Sequence, residues 1–152
     1  MITRALDIKR IAVFMLAILF FIFDRLLKLA AVKADGATNI LGKFIRFKLA
    51  VNEFIALSLP IPDSIIVRFT ILAIIIGLML LLYRFVRQNN NPGVAGCLFL
   101  ICGAASNLAD RFAYGWVIDY IEIQYFTIFN LADALVILGA LLLFWALFKK
   151  ID

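Results

Sequence analysis

The sequence predicts a membrane protein with an all-α core, four transmembrane helices and a small β-sheet on the outer surface. Three observations carry that expectation. Of 152 residues, 66% are hydrophobic and 16% charged, with a mean hydropathy of +1.08; a soluble domain is roughly 45–50% apolar and about 25% charged. Four apolar stretches approach or exceed the ~20 residues needed to cross ~30 Å of hydrocarbon. The segments joining the first stretch to the second, and the third to the fourth, are rich in β-forming residues. The length suits a single integral domain over residues 1–152.

The first stretch spans 11–32 and follows Arg4, Lys9 and Arg10. A basic flank before an apolar run also suits a secretory signal. Here Asp24, Arg25 and Lys28 stand where a small-residue cleavage site would lie, so the stretch reads as a retained span. A β-rich outer loop covers 33–63. Within it Ile45, Phe47, Leu49 and Val51 alternate with Phe44, Arg46, Lys48 and Ala50, the period of a half-exposed strand. The second stretch is 64–83, followed by a short polar turn at 88–93, Gln-Asn-Asn-Asn-Pro-Gly. The third is 94–113. A second outer β-rich loop, 114–127, leads into the fourth at 128–148. Seven basic residues (Arg4, Lys9, Arg10, Arg84, Arg87, Lys149, Lys150) fall on one side, and four (Lys33, Lys43, Arg46, Lys48) on the other. That bias places both termini in the cytoplasm.

Composition also excludes chemistry. The chain has no histidine, so a Ser-His-Asp triad, a Cys-His pair and a His-ligated zinc site cannot form. Cys97 and Cys102 lie five apart in one apolar stretch and read as small buried hydrophobes. The net charge of +5 is spread over the flanks of membrane segments and is no signal for nucleic acid. Membrane lipids are the expected surroundings.

An ionisable group inside a membrane helix costs a few kcal/mol or more, so it points to function. With helices one and three running outward and helix four inward, Asp24, Asp110, Asp119 and Asp133 all fall at the outer side. The tetrapeptide Asn-Leu-Ala-Asp occurs twice, at 107–110 and 130–133, and the i, i+3 spacing puts amide and carboxylate on one helix face. Asp24 and Lys28 have the i, i+4 spacing of an orienting ion pair. Asp110 precedes Arg111 and reads as a local ion pair at a helix end. Asp133 suits the first turn of a helix, although Asn130 can serve as the cap. On helix faces alone, Asp110 would pair with Asp133. Two carboxyls held close share one proton, and such a dyad can activate water and polarise a peptide carbonyl without histidine, metal or cofactor.

These residues resemble a known family, the lipoprotein signal peptidases or signal peptidase II. The resemblance runs through Asp24-x-x-x-Lys28, then Asn52 with Ala56 and Ser58, then Gly103-Ala104-Ala105-Ser106-Asn107-Leu108-Ala109-Asp110-Arg111. It continues through Gly115-x-Val117-x-Asp119-Tyr120 and Phe129-Asn130-Leu131-Ala132-Asp133. It implies a four-helix membrane aspartyl endopeptidase with a β-cradle on its outer surface, monomeric, in the bacterial cytoplasmic (inner) membrane. Its substrates would be diacylglyceryl-modified prolipoproteins, cut before the lipidated cysteine, with no cofactor. It also implies the catalytic pair Asp119 and Asp133, in place of the pairing suggested by helix faces. Asn52, Asn107, Arg111 and Asn130 would line or order the site, supported by Asp24, Lys28 and Asp110. The chain departs from the family pattern at Phe54, Cys102 and Ser106, which stand at glycine positions, and at Arg25, which replaces a glutamine.

Two other classes fit parts of the pattern. Intramembrane carboxylates also mark proton-coupled transporters, but those would carry acids through the whole membrane depth, and here the inner halves lack them. A paralogue that binds lipidated peptides without cutting is the third possibility.

Overall fold

The computed structural model describes residues 2–55 and 59–148. Ala56, Ser58, Lys149 and Lys150 lie outside the described residues. Four helices, α1 (Ile2–Lys33), α2 (Ile65–Arg87), α3 (Asn91–Tyr114) and α4 (Leu131–Phe148), form the body. Six short strands lie between them: β1 (Thr38–Leu41), β2 (Ile45–Asn52), β3 (Phe54–Ile55), β4 (Leu59–Pro62), β5 (Val117–Ile123) and β6 (Thr127–Phe129).

By length and composition α2, α3 and α4 are apolar enough to cross a membrane. The expected first span is the long helix α1, whose apolar run is interrupted by Asp24, Arg25 and Lys28. Large apolar side chains such as Ile66 and Leu80 on α2 are 75% and 70% exposed, because lipid rather than water is the outer solvent.

Helix α1 begins at Ile2 rather than at 11, and the starts of α3 and α4 also differ from the sequence expectation. The turn expected through 93 ends earlier: Asn90 caps α3 by accepting from the Gly93 amide at 3.0 Å, and Pro92 sits in the first turn, where its missing N–H is no loss. The fourth helix, expected from 128, starts three residues later at Leu131. Thr127, Ile128 and Phe129 instead pair with Ile123, Glu122 and Ile121 of β5, since β-branched and aromatic residues fit a ladder.

Helix α3 is the central element and carries many buried residues. It meets α4 closely enough that a Cβ on Gly103 would lie 2.5 Å from the Ala132 carbonyl oxygen, and one on Gly139 would lie 2.7 Å from the Leu100 nitrogen. Small residues at such seams let backbones approach in membranes. Cys97 is buried in this core and Cys102 is half-buried, both as free thiols, as expected of small hydrophobes.

The antiparallel sheet has the order β1-β2-β5-β6, and β3-β4 form a separate hairpin. One irregularity positions the site. Phe47 pairs with Ile121 but Ala50 pairs with Asp119, so β2 carries one extra residue. A bulge of this kind reverses the alternation that follows it. Ala50 and Asn52 thereby join the face of Asp119, while Leu49 and Val51 are exposed. The sequence period had placed Leu49 and Val51 with Phe47; the bulge overrides it.

The two ends of the bundle differ. At one end Arg10 donates to Asn89 Oδ1 (2.6 Å) and Asn91 Oδ1 (3.1 Å), fastening α1 to the α2–α3 turn. At the other, Ala31 of α1 packs with Ile118 and Tyr120 beneath the sheet.

Candidate active site

Asp119, Asp133, Asp24 and Asp110 gather at the sheet end of the bundle, although they come from β5, α4, α1 and α3. Asp119 is 2% exposed. Its Oδ2 accepts from the Asn52 amide at 2.9 Å and its Oδ1 from the Asn130 amide at 2.6 Å. The bulge in β2 brings Asn52 there; the end of β6 brings Asn130.

Asp133 sits in the first turn of α4. Asn130 and Asp133 cap each other: the Asp133 amide donates to Asn130 Oδ1 at 2.8 Å, and the Asn130 amide donates to Asp133 Oδ2 at 3.3 Å. This reciprocal arrangement is a capping box. Both residues that suited the cap therefore contribute to it. Its other oxygen accepts from the Asn107 amide at 2.8 Å, and Asn107 Oδ1 accepts from Asn130 at 3.2 Å. Asn130 thus touches both acids, Asp119 through its side-chain amide and the Asp133 carboxylate through its backbone N–H.

The helix-face pairing of Asp110 with Asp133 does not occur; Asn107, one turn earlier, reaches Asp133. Nor is Asp110 a local partner of Arg111. It is fully buried against α1, where it binds Arg25 and, at 2.7 Å, Lys28. It also accepts from the Ile118 amide at 3.3 Å. Arg111 instead donates to the Phe54 carbonyl at 2.9 Å and lies 3.5 Å from Asp63 Oδ1. The expected pair of Asp24 and Lys28 forms at 3.2 Å. Asp24 collects three more donors: Ser106 (2.6 Å), Tyr120 (2.8 Å) and the Ala132 amide (3.1 Å). Lys28 also donates to Asn107 Oδ1 at 2.8 Å, so the ion cluster touches the amides around Asp133.

Burial first, and then the neighbouring Asp133 carboxylate, push the Asp119 carboxyl from 3.8 up to about 7; the Asn52 and Asn130 amides oppose this. The Asp119 carboxyl therefore retains its proton close to neutrality.

Two cavities meet at Asn52. One lies over the sheet and is lined by Ala50, Glu53, Phe54 and Asp119. The other is an apolar groove between α2, α3 and α4, walled by Ile71, Leu78, Leu100 and Val136, and it ends at Asn107 and Asp133.

Sequence reasoning missed four participants. Ser106 and Arg25 looked like departures from a pattern, yet Ser106 donates to Asp24 and Arg25 pairs with Asp110. Asp63 joins Arg68 at 2.5 Å and faces Arg111. Tyr120 carries no sequence signal beyond its place after Asp119, yet its hydroxyl donates to Asp24. Partners on other elements are what make each of them matter, and a lone serine or tyrosine carries no periodic signal of them. Phe54 is 42% exposed, and its amide donates to Asn52 Oδ1 at 3.1 Å, so the side chain at this position leaves the Asn52 geometry intact.

The architecture is that of a bacterial membrane enzyme. A solved bacterial membrane enzyme, determined by the in meso method, is 26% identical and superposes with a TM-score of 0.77 over 91% of this chain and 88% of its own. A second, at 24% identity and a TM-score of 0.72, shares the fold over 91% of this chain and 94% of its own. The chain belongs to the signal peptidase (SPase) II family, whose sequence model matches residues 16–149. It is 32% identical to the lipoprotein signal peptidase of Caldicellulosiruptor bescii over 86% of each chain. It is 28% identical to that of Burkholderia vietnamiensis over 90% of this chain and 87% of the relative. Signal peptidase II is an aspartic protease, and this chain is accordingly an enzyme that hydrolyses peptide bonds.

Proposed function

We propose that Asp119 and Asp133 are the catalytic dyad of a membrane endopeptidase that removes signal peptides from diacylglyceryl-modified prolipoproteins, cutting before the lipidated cysteine. The single observation that carries this reading is the partnership of both acids with neutral amides and, through Asn130, with each other. Neighbouring carboxyls held by neutral amides hold one proton in common. The ionised member takes a proton from water as the water oxygen attacks the scissile carbonyl. The protonated member hydrogen-bonds the carbonyl oxygen as it gains charge. Collapse of the tetrahedral species breaks the C–N bond, a proton passes to the departing amine, and the pair is left with its one proton.

The apolar groove ending at Asp133 suits the apolar part of such a substrate. Asn52 and Asn130 hold Asp119, Asn107 and Asn130 hold Asp133, and Arg111 fixes the Phe54 carbonyl at the rim. Asp24, Lys28 and Asp110 order the surrounding helices. In this reading the protein is one integral domain and a monomer among membrane lipids. Helix α1 supplies the fourth span: 32 residues at ~1.5 Å each exceed the ~30 Å core. Basic flanks place both termini in the cytoplasm and the acids near the outer face of the bacterial inner membrane.

The test is reconstitution with a lipid-modified prolipoprotein, following the mass change on cleavage. Wild type should cut, and Asp119→Asn and Asp133→Asn should not. Full activity in either variant would overturn the dyad; binding without cleavage by wild type would overturn the endopeptidase reading.

A further inference from the structure

Tyr120 follows Asp119 in β5, so it points to the opposite face of the sheet, away from the dyad. Its side chain is completely buried. Both capacities of its hydroxyl are in use: it donates to Asp24 Oδ1 at 2.8 Å and accepts from the Leu131 amide at 3.0 Å. The first amides of a helix have no partner within the helix. In α4 the first three are all satisfied from outside: Leu131 by Tyr120, Ala132 by Asp24 (3.1 Å) and Asp133 by Asn130 (2.8 Å). Two of these three fastenings meet at the Tyr120–Asp24 contact.

We infer that the Tyr120 hydroxyl is a positioning residue that ties the first turn of α4 to β5 and thereby sets the separation between Asp119 and Asp133. The inference rests on the dyad reading above. Asp119 is one residue from Tyr120 on the strand, and Asp133 is two residues from Leu131 on the helix, so this cross-link lies directly behind the pair. The front of the site is bridged by Asn130. Asp24 acts one step further back, holding the phenol from α1. Burial and then the charge of Asp24 push the phenol up, so it stays a proton donor at every working pH.

Replacing Tyr120 with phenylalanine keeps the ring, which packs on Phe47 at 5.6 Å between centroids, and deletes only the cross-link. The Leu131 amide then lacks its partner and the first turn of α4 can drift from β5. Misplacement of reacting groups by a fraction of an ångström to 1 Å costs up to about 10²-fold in rate. A wider gap also weakens the repulsion that raises the Asp119 carboxyl. The basic limb of the pH–rate profile should then move to lower pH. The charged groups around the acids, Asp24 and Lys28 of α1 and Asp110 and Arg111 of α3, are unchanged by this substitution.

The experiment compares wild type, Tyr120→Phe, and the full chain carrying 3-fluorotyrosine at position 120, all reconstituted with the lipid-modified prolipoprotein. Expected for Tyr120→Phe are a kcat about tenfold lower, an unchanged KM and a basic limb displaced downward. The fluorinated side chain keeps both hydrogen bonds and should restore kcat. A Tyr120→Phe enzyme with wild-type kcat and profile overturns the inference. So does a loss of rate that only tracks a lower fraction of folded enzyme with the profile unmoved. If Tyr120→Phe does not fold, Leu131→Pro, which deletes the amide that the hydroxyl accepts from at a helix position that tolerates proline, must reproduce the rate loss and the displaced limb, and an unmoved limb there overturns it as well. Activity retained by Asp119→Asn or Asp133→Asn would instead remove the dyad reading, which separates the two failures.

Discussion

Two pairs of carboxylates lie side by side at one end of this protein, and they are built in opposite ways. Asp24 and Asp110 stand against Lys28 and Arg25, two negative charges against two positive ones. Asp119 and Asp133 stand against the amides of Asn52, Asn107 and Asn130. Acids paired with cations from another helix serve to hold elements together. An acid facing neutral donors and a second acid can gain and lose a proton, which is what hydrolysis requires. Asn107 touches both sets, since it accepts from Lys28 and donates to Asp133.

The contrast can be broken most severely by neutralising one acid from each pair. Asp119→Asn should lower turnover by about 10²- to 10⁴-fold or more while the protein stays folded. Asp110→Asn should leave measurable turnover and lower the unfolding midpoint. Both are read from prolipoprotein cleavage beside thermal unfolding of the same detergent preparation. Reversed behaviour would mean that the roles of the pairs are exchanged.

A smaller effect is expected from Lys28→Met. It leaves Asp24 and Asp110 short of a cation in a buried site, where removing one partner costs about 3–5 kcal/mol. The unfolding midpoint should fall accordingly, and an unchanged midpoint would show that the cluster does not hold the helices.

The pH dependence of stability sharpens the comparison further. The folded state holds the Asp119 proton up to about 7, against 3.8 for the free group. Between those values the folded protein binds more protons than the unfolded chain, so this group makes stability fall as pH rises through the window. Asp119→Asn lacks that penalty. Its midpoint should match wild type near pH 4 and exceed it at pH 8, the stability difference there being on the order of a few kcal/mol. Parallel midpoints across the range would contradict the assignment.

Least in size is Asn52→Ala. The Asn52 amide favours the charged form of Asp119; without it the basic limb of kcat should climb by up to about one pH unit. A limb that stays put would show that the bulge-borne amide is not felt by the dyad.

Much of the fold was legible because membrane solvent imposes a coarse rule. Long apolar runs gave α2, α3 and α4 to within a few residues, and Asn90 with Pro92 explains the early start of α3. Leu49 and Val51 were misassigned because a bulge is a local break in period that alternation alone cannot register. At the site, the residue types and their shared depth were readable, as were Asp24 with Lys28 and Asn130 as a cap. The identity of the partners was not: Asp110 was given to Arg111 and Asp133, its near neighbours by sequence or helix face, while its partners are Arg25 and Lys28 on another helix.

The sequence by itself determined that this chain lives in a membrane, that its chemistry is done by carboxyls rather than histidine, and which acids were available. Those follow from composition and hydropathy, which are properties of the residues wherever they sit. Tertiary structure decided which acids meet cations and which meet amides. The reason is that a carboxyl's charge state depends on the few groups within several ångströms of it, and here every such group is delivered by a different helix or strand.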